Sequence, residues 1–420
     1  MRQARRVARM AFLIALCASG LAFSAAFAQA ASPDDTARLL AGMPVPEGSP
    51  LAALAQDPIA RQHAAYFDTA FGNLEKNQLS KIRAWSAATL TEPQPILFYI
   101  FGGPDFLYAD AFFPKATTYV LSGLEPVGQV PDLAAMPRWA AMQGLKNIEG
   151  SLRSVLSVSY FVTVDMFRDL NNGPINGTLP ILYVFLARSG KTVHSAELVH
   201  LDDQGALQPG DAAQPFNPGR GVKIEFSEKD GPRKTLYYFS GNIADDRPKN
   251  NLLLAFCRSL GKGDSFLKSA SFLLHMQRFS QARALILENS TAILQDDSGV
   301  PLAYFDPERW KLRAFGRYLM PIFPAYYQPK LAEFYQRTQP DPIDFGVGYR
   351  WRPNESNLLL ATRIPGSPDI TASIPAPAPP QRAPEVARQQ PPIYRAPPRA
   401  ENDFQGPPPF FPFFLFQPPQ

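Results

Sequence analysis

The sequence predicts an α/β fold: a mixed sheet with parallel central strands and helices on its faces, antiparallel hairpin additions, and a disordered proline-rich tail. Three observations predict it. Pro95 to Glu125 reads as strand, glycine turn, short helix and strand, the layout of a parallel crossover. Helical patterns surround that unit, which favours a further strand arriving in the same direction. Farther on, two β-rich runs flank Lys229-Asp230-Gly231-Pro232, where an Asp-Gly pair supplies the positive backbone angle of a tight hairpin.

The chain opens with the three parts of a secretory signal, residues 1–28. Arg2, Arg5, Arg6 and Arg9 precede an apolar stretch from Met10 that ends in Ala26-Phe27-Ala28, with cleavage expected after Ala28 or Ala30. An uncleaved anchor is the alternative, because Met10 to Ala28 is nearly long enough to cross a bilayer. In either case the remainder is expected to be exported, to the periplasm or outside the cell. Residues 29–50, rich in proline and glycine, read as a linker, and 51–363 as one globular α/β domain.

Pro58 opens a helical pattern in which Ile59, Tyr66, Ala70 and Leu74 share a face, continued by Leu79, Ile82 and Trp85. His63 falls within it and reads as a partly buried helix residue. Ile96 to Phe101 is a near-continuous apolar run, suited to a strand covered on both faces. Gly102-Gly103-Pro104 ends it. Asp105 can cap a short helix that stops at Pro114, and Thr117 to Leu121 forms the second strand. A helical region extends from Leu133 to about Leu170, and Ile181 to Leu186 reads as another buried strand. Thr192–Leu201, Val222–Phe226 and Thr235–Phe239 are the antiparallel additions. Asn250–Leu260 and Ser265–Glu288 look helical, while Thr291–Leu294, Leu302–Phe305, Ile343–Trp351 and Asn357–Thr362 look like strands.

Residues 364–420 hold 17 of the 44 prolines, a density that excludes helix and sheet and implies a disordered segment of polyproline character. Near its end, Phe410, Phe411, Phe413, Phe414 and Phe416 form a motif expected to dock on an envelope protein or a membrane surface. It is too short to span, since a helical crossing takes about 20 residues.

Charge and cysteine content exclude some classes. The formal charge is +4, and removal of the four signal arginines brings it to 0, so there is no electrostatic case for nucleic-acid binding. Cys17 lies in the signal and leaves Cys257 alone, so stability must come from a core and not from an intrachain disulfide. Gly-x-Ser-x-Gly, His-Glu-x-x-His and Cys-x-x-Cys are absent. His194 and His200, six apart on one strand, would sit roughly 20 Å apart, too far for one metal.

Ligands of parallel sheets lie beyond the carboxyl ends of the strands, where Gly102, Gly103, Asp105 and Glu125 should gather. A double glycine with an acid farther along invites a dinucleotide reading, but the full Gly-x-Gly-x-x-Gly is missing and Pro104 removes one amide. No cofactor is specified. The leading functional expectation is a non-catalytic binding protein of the cell envelope, because no nucleophile with a partnered base can be named. The alternative is an exported enzyme with its site at Gly102, Gly103, Asp105 and Glu125. A concave pocket there with at least one strongly shifted carboxylate would favour the enzyme, and a filled, solvent-free turn the binder.

Overall fold

The computed structural model describes residues 30–158, 173–211, 219–245 and 251–367. The signal, the docking motif at Phe410 to Phe416 and the end of the helical region after Val158 lie outside the described residues.

The sheet has ten strands in the order β4-β3-β5-β6-β2-β1-β7-β8-β10-β9. They are β1 Ile96–Tyr99, β2 Thr118–Gly123, β3 Thr192–Leu201, β4 Leu207–Pro209, β5 Arg220–Ser227, β6 Arg233–Ser240, β7 Gly263–Leu267, β8 Ser290–Gln295, β9 Trp310–Gly316 and β10 Asn357–Arg363. The five central strands β6, β2, β1, β7 and β8 run parallel, and the outer pairs run antiparallel. The expected hairpin is β5 and β6, with Asp230 at φ 61° in its turn. The expected parallel neighbours are β1 and β2, with Ile96 opposite Thr118 and Tyr99 opposite Leu121.

The helices are α1 Pro33–Leu40, α2 Ala52–Ala55, α3 Pro58–Leu74, α4 Ser80–Thr89, α5 Phe106–Phe112, α6 Arg138–Val158, α7 Leu179–Arg188, α8 Asn251–Leu260, α9 Ser280–Asn289 and α10 Pro329–Thr338. Alternation along the strands sorts them into two layers. Leu97, Tyr99, Tyr119, Leu121, Phe266 and Leu294 face one apolar cluster, with α1 and α3 to α7. Phe98, Ile100, Val120, Leu267 and Ile293 face the other, with α8 to α10. Cys257, on α8, is fully buried in this second cluster, and burial pushes its thiol up to about 12. His63 links the first layer: Nδ1 lies 2.8 Å from Glu149 Oε1 on α6, and Nε2 lies 2.8 Å from the Leu40 carbonyl at the end of α1.

Five segments differ from expectation. Residues 33–40 of the supposed linker form α1, with Ala37, Leu39 and Leu40 buried. Pro33 stands at the start of that helix, where a missing N–H costs nothing, and Ser32 Oγ accepts the Asp35 amide at 3.0 Å. Ile181–Leu186 lies within helix α7, buried on every side from Leu179 to Ala187. Periodicity cannot separate a wholly buried helix from a buried strand. Ser265–Glu288 divides into β7, a short helical turn Ala270–His275 and α9. Ile343–Trp351 is a loop that gives Phe345 and Val347 to the core, and Leu302–Tyr304 is a single turn. The strand beside β10 is instead β9, whose Lys311 and Arg313 are exposed, as suits a sheet edge.

Asp264 on β7 fastens the strand to its surroundings, accepting the amides of Gln94 at 2.8 Å and Ala292 at 3.0 Å. Burial raises its pKa to about 6. An acid with a raised folded pKa contributes stability that is complete below its unfolded value of about 3.9 and disappears as pH rises through the folded value. His275, lowered to about 4 by burial, acts in the opposite sense over much of this window, so the informative quantity is a difference. Relative to the native chain, Asp264→Asn should gain about 3 kcal/mol in unfolding free energy between pH 4 and pH 7. Urea titrations across that range check this, and a pH-independent difference would refute it.

Candidate functional site

The direction of strand addition changes at β1, because β2 adds on one side and β7 on the other. The loops leaving β1 and β7 therefore part, and a crevice opens between their tips. A cavity of about 190 Å³ lies there. Gly102, Gly103, Asp105 and Glu125 all line it, so the residues selected from sequence meet in one place. Phe101, Ile243, Leu273 and Phe279 supply an apolar wall, and Ser122, Lys268 and Ser269 add polar groups.

Two glycines allow the rims to close on each other. Gly103 sits at φ +60°, a conformation that favours glycine, and its N–H donates to the Ser122 carbonyl at 2.9 Å, joining the β1 and β2 loops. At Gly123 a Cβ would lie 2.8 Å from the Gly103 Cα, so any side chain would push the two tips apart. Glu125 is buried. Its backbone carbonyl accepts the Tyr238 hydroxyl at 2.8 Å, which anchors the β2 tip to β6.

Asp105 accepts the Tyr108 amide at 3.3 Å, the expected cap of α5. It also has partners that the sequence did not disclose. Tyr99 Oη donates to Asp105 Oδ2 at 2.9 Å, and Lys268 Nζ lies 2.6 Å from the same oxygen. Asp105 and Lys268 are both almost fully buried, and the ammonium also stands 3.8 Å above the centre of the Tyr108 ring. Burial, helped by the Asp105 charge, holds the Tyr99 phenol well above its ordinary pKa.

Ser269 stands just beyond the end of β7 with φ 64° and ψ −85°, a sparsely populated backbone state. Its N–H donates to Asp296 Oδ2 at 3.0 Å, and Asp296 Oδ1 accepts the Ser298 amide at 2.9 Å. Ser269 Oγ is buried and has no hydrogen-bond partner among the described residues. Burial raises the pKa of Asp296, and burial together with the Asp296 charge carries Asp297 up to about 7. By sequence alone this acid pair is an ordinary turn.

No family model, curated protein or solved structure matches the chain. Lys268 and Ser269 escape a sequence reading because β7 is only five residues long and carries Asp264 and Ser265, which hide its strand character. The usable signal is Gly261 and Gly263 on either side of Lys262, a break that separates helix α8 from strand β7. Among the described residues no group of three histidine, cysteine or carboxylate side chains converges as a metal site. His194 Nε2 pairs with Ser227 Oγ at 2.9 Å, and His200 Nδ1 with the Gly210 carbonyl at 3.1 Å, both away from the cleft.

Proposed function

We propose that the chain is an exported enzyme acting on a small molecule held where β1, β2, β6 and β7 end. One observation carries the reading: four residues chosen on sequence grounds line a single concave site that also contains a buried lysine–aspartate pair and a strained serine. A pocket with a few convergent polar groups at a switch point is where such sheets hold ligands. The non-catalytic reading rested on the lack of a nameable nucleophile with a partnered base, and Ser269, whose amide donates to Asp296, supplies a candidate for that pair. Export is supported by the amino-terminal layout alone. The phenylalanine-rich motif, five aromatics within seven residues, is kept as the proposed contact with the envelope.

Gly241 provides the test. It lines the cavity, and a Cβ there would meet nothing closer than the Gly219 nitrogen at 4.0 Å, so a large side chain can be added at the cleft's edge without disturbing the core. In a thermal-shift screen of small esters, amides and oxo acids, a true ligand at a hundred times its Kd should stabilise the native chain by about 2.7 kcal/mol. Gly241→Phe should melt with the native chain and lose that response. Ligands that stabilise both proteins equally would exclude this cleft as the site. The chain recovered from the extracytoplasmic fraction should begin at Gln29 or Ala31, and an intact Met1 on cytoplasmic protein would remove the export part.

A further inference from the structure

Among the described residues, four other than glycine have positive φ: Asp230, Ser269, Gln339 and Asn354. Three of these lie in exposed turns, whereas Ser269 is buried at the floor of the cleft. Its ψ of −85° also takes it outside the left-handed helical region that the others can use. Glycine would satisfy this backbone and still donate its amide to Asp296. What serine adds is a hydroxyl, and that hydroxyl bonds to nothing else described. A serine strained on the sharp turn between a strand and a helical segment presents Oγ clear of its own backbone, the arrangement that serves nucleophiles.

From this geometry we infer that Ser269 is a nucleophile and that the cleft catalyses acyl transfer from small carboxylic esters. The inference rests on the enzyme reading above and specifies its chemistry. Asp296 Oδ2 is the neighbouring base: it already accepts the Ser269 amide, and Oδ2 and Oγ lie 2.5 and 2.6 Å from the point where a side chain on Gly348 would begin. Gly348 is thus the residue type that leaves both oxygens room. The cation lining the cleft is Lys268.

In the first half-reaction Oγ adds to the ester carbonyl carbon while its proton passes to Asp296. The oxyanion that forms lies in the field of the Lys268 ammonium. Collapse breaks the bond to the alcohol oxygen, and the alcohol leaves with the proton held by Asp296. Water then attacks the acyl group by the reverse sequence, releasing the carboxylic acid and restoring the Ser269 hydroxyl. Ester and water become acid and alcohol, with no other reactant.

The experiment uses an alkyl fluorophosphonate, which bonds phosphorus to an activated serine oxygen with loss of fluoride. Native full-length chain should gain one adduct, placed on Ser269 by peptide mapping. Ser269→Ala and Ser269→Gly should gain none, and the glycine variant should melt no lower than the native chain, which shows that loss of folding is not the cause. Asp296→Asn should label about 100-fold more slowly at neutral pH. That deficit should shrink toward alkaline pH, where hydroxide takes the proton, a recovery that a merely structural defect would not show. A Gly241-sensitive ligand response with no adduct on Ser269 overturns this inference and leaves the enzyme reading standing. Labelling that persists in Ser269→Ala also overturns it. Absence of both adduct and ligand response overturns the two together.

Discussion

Lys268→Met should cost the fold about 3–5 kcal/mol, the penalty for stranding one member of a buried ion pair. The change removes the cation 2.6 Å from Asp105 Oδ2 and leaves that carboxylate, among the described residues, with the Tyr99 hydroxyl and the Tyr108 amide as donors, in surroundings almost closed to water. A second change identifies the cause. Asp105→Asn in the Lys268→Met background removes the orphaned charge, keeps one oxygen to accept the Tyr108 amide while its NH2 can donate to the Tyr99 hydroxyl oxygen, and should recover most of the loss. The double-mutant cycle, read from urea unfolding of the four proteins, should therefore give a coupling well above the experimental error. If Lys268→Met unfolds within about 1 kcal/mol of the native chain, the pair does not hold the β7 loop against the β1 loop and the site is far looser than described.

Phe266→Ala should have a loss of similar size, about 3–5 kcal/mol, from a large aromatic removed from a closed core. Its ring lies 4.7 Å from Tyr99 and 4.8 Å from Phe112, centre to centre, and it is fully buried. Two residues before Lys268, it wedges β7 against the strand and helix that carry Asp105. Phe266→Leu should restore more than half of the lost stability by refilling the volume. Both variants are checked by equilibrium unfolding, and an alanine variant losing less than about 1 kcal/mol would mean that the layer between β7 and α5 is not packed as described.

The parts of the fold legible in the sequence are those where local chemistry and tertiary setting agree. Ile96 to Phe101 is apolar throughout because β1 is covered on both faces, and Gly103 and Asp105 do the jobs their side chains suggest. Segments whose burial erases the pattern are not legible. Helix α7 has no polar face to mark its period, and β7 buries Asp264 and Ser265 through long-range partners that no local rule anticipates. Half of the candidate site is thus visible, at the β1 and β2 tips. The other half, Lys268 and Ser269, depends on knowing that β7 lies beside β1, a fact of chain topology and not of any nearby residue.

Cys257 gives the fold its own gauge of internal motion. Its sulfur sits beneath α8 in the second apolar layer, with the thiol held protonated far above neutral pH. A reagent can reach it only while that helix is lifted from the sheet. The pace of its alkylation in native buffer therefore times how often the layer that also walls the cleft comes apart, and a bound ligand that slowed that pace would be felt through this shared layer.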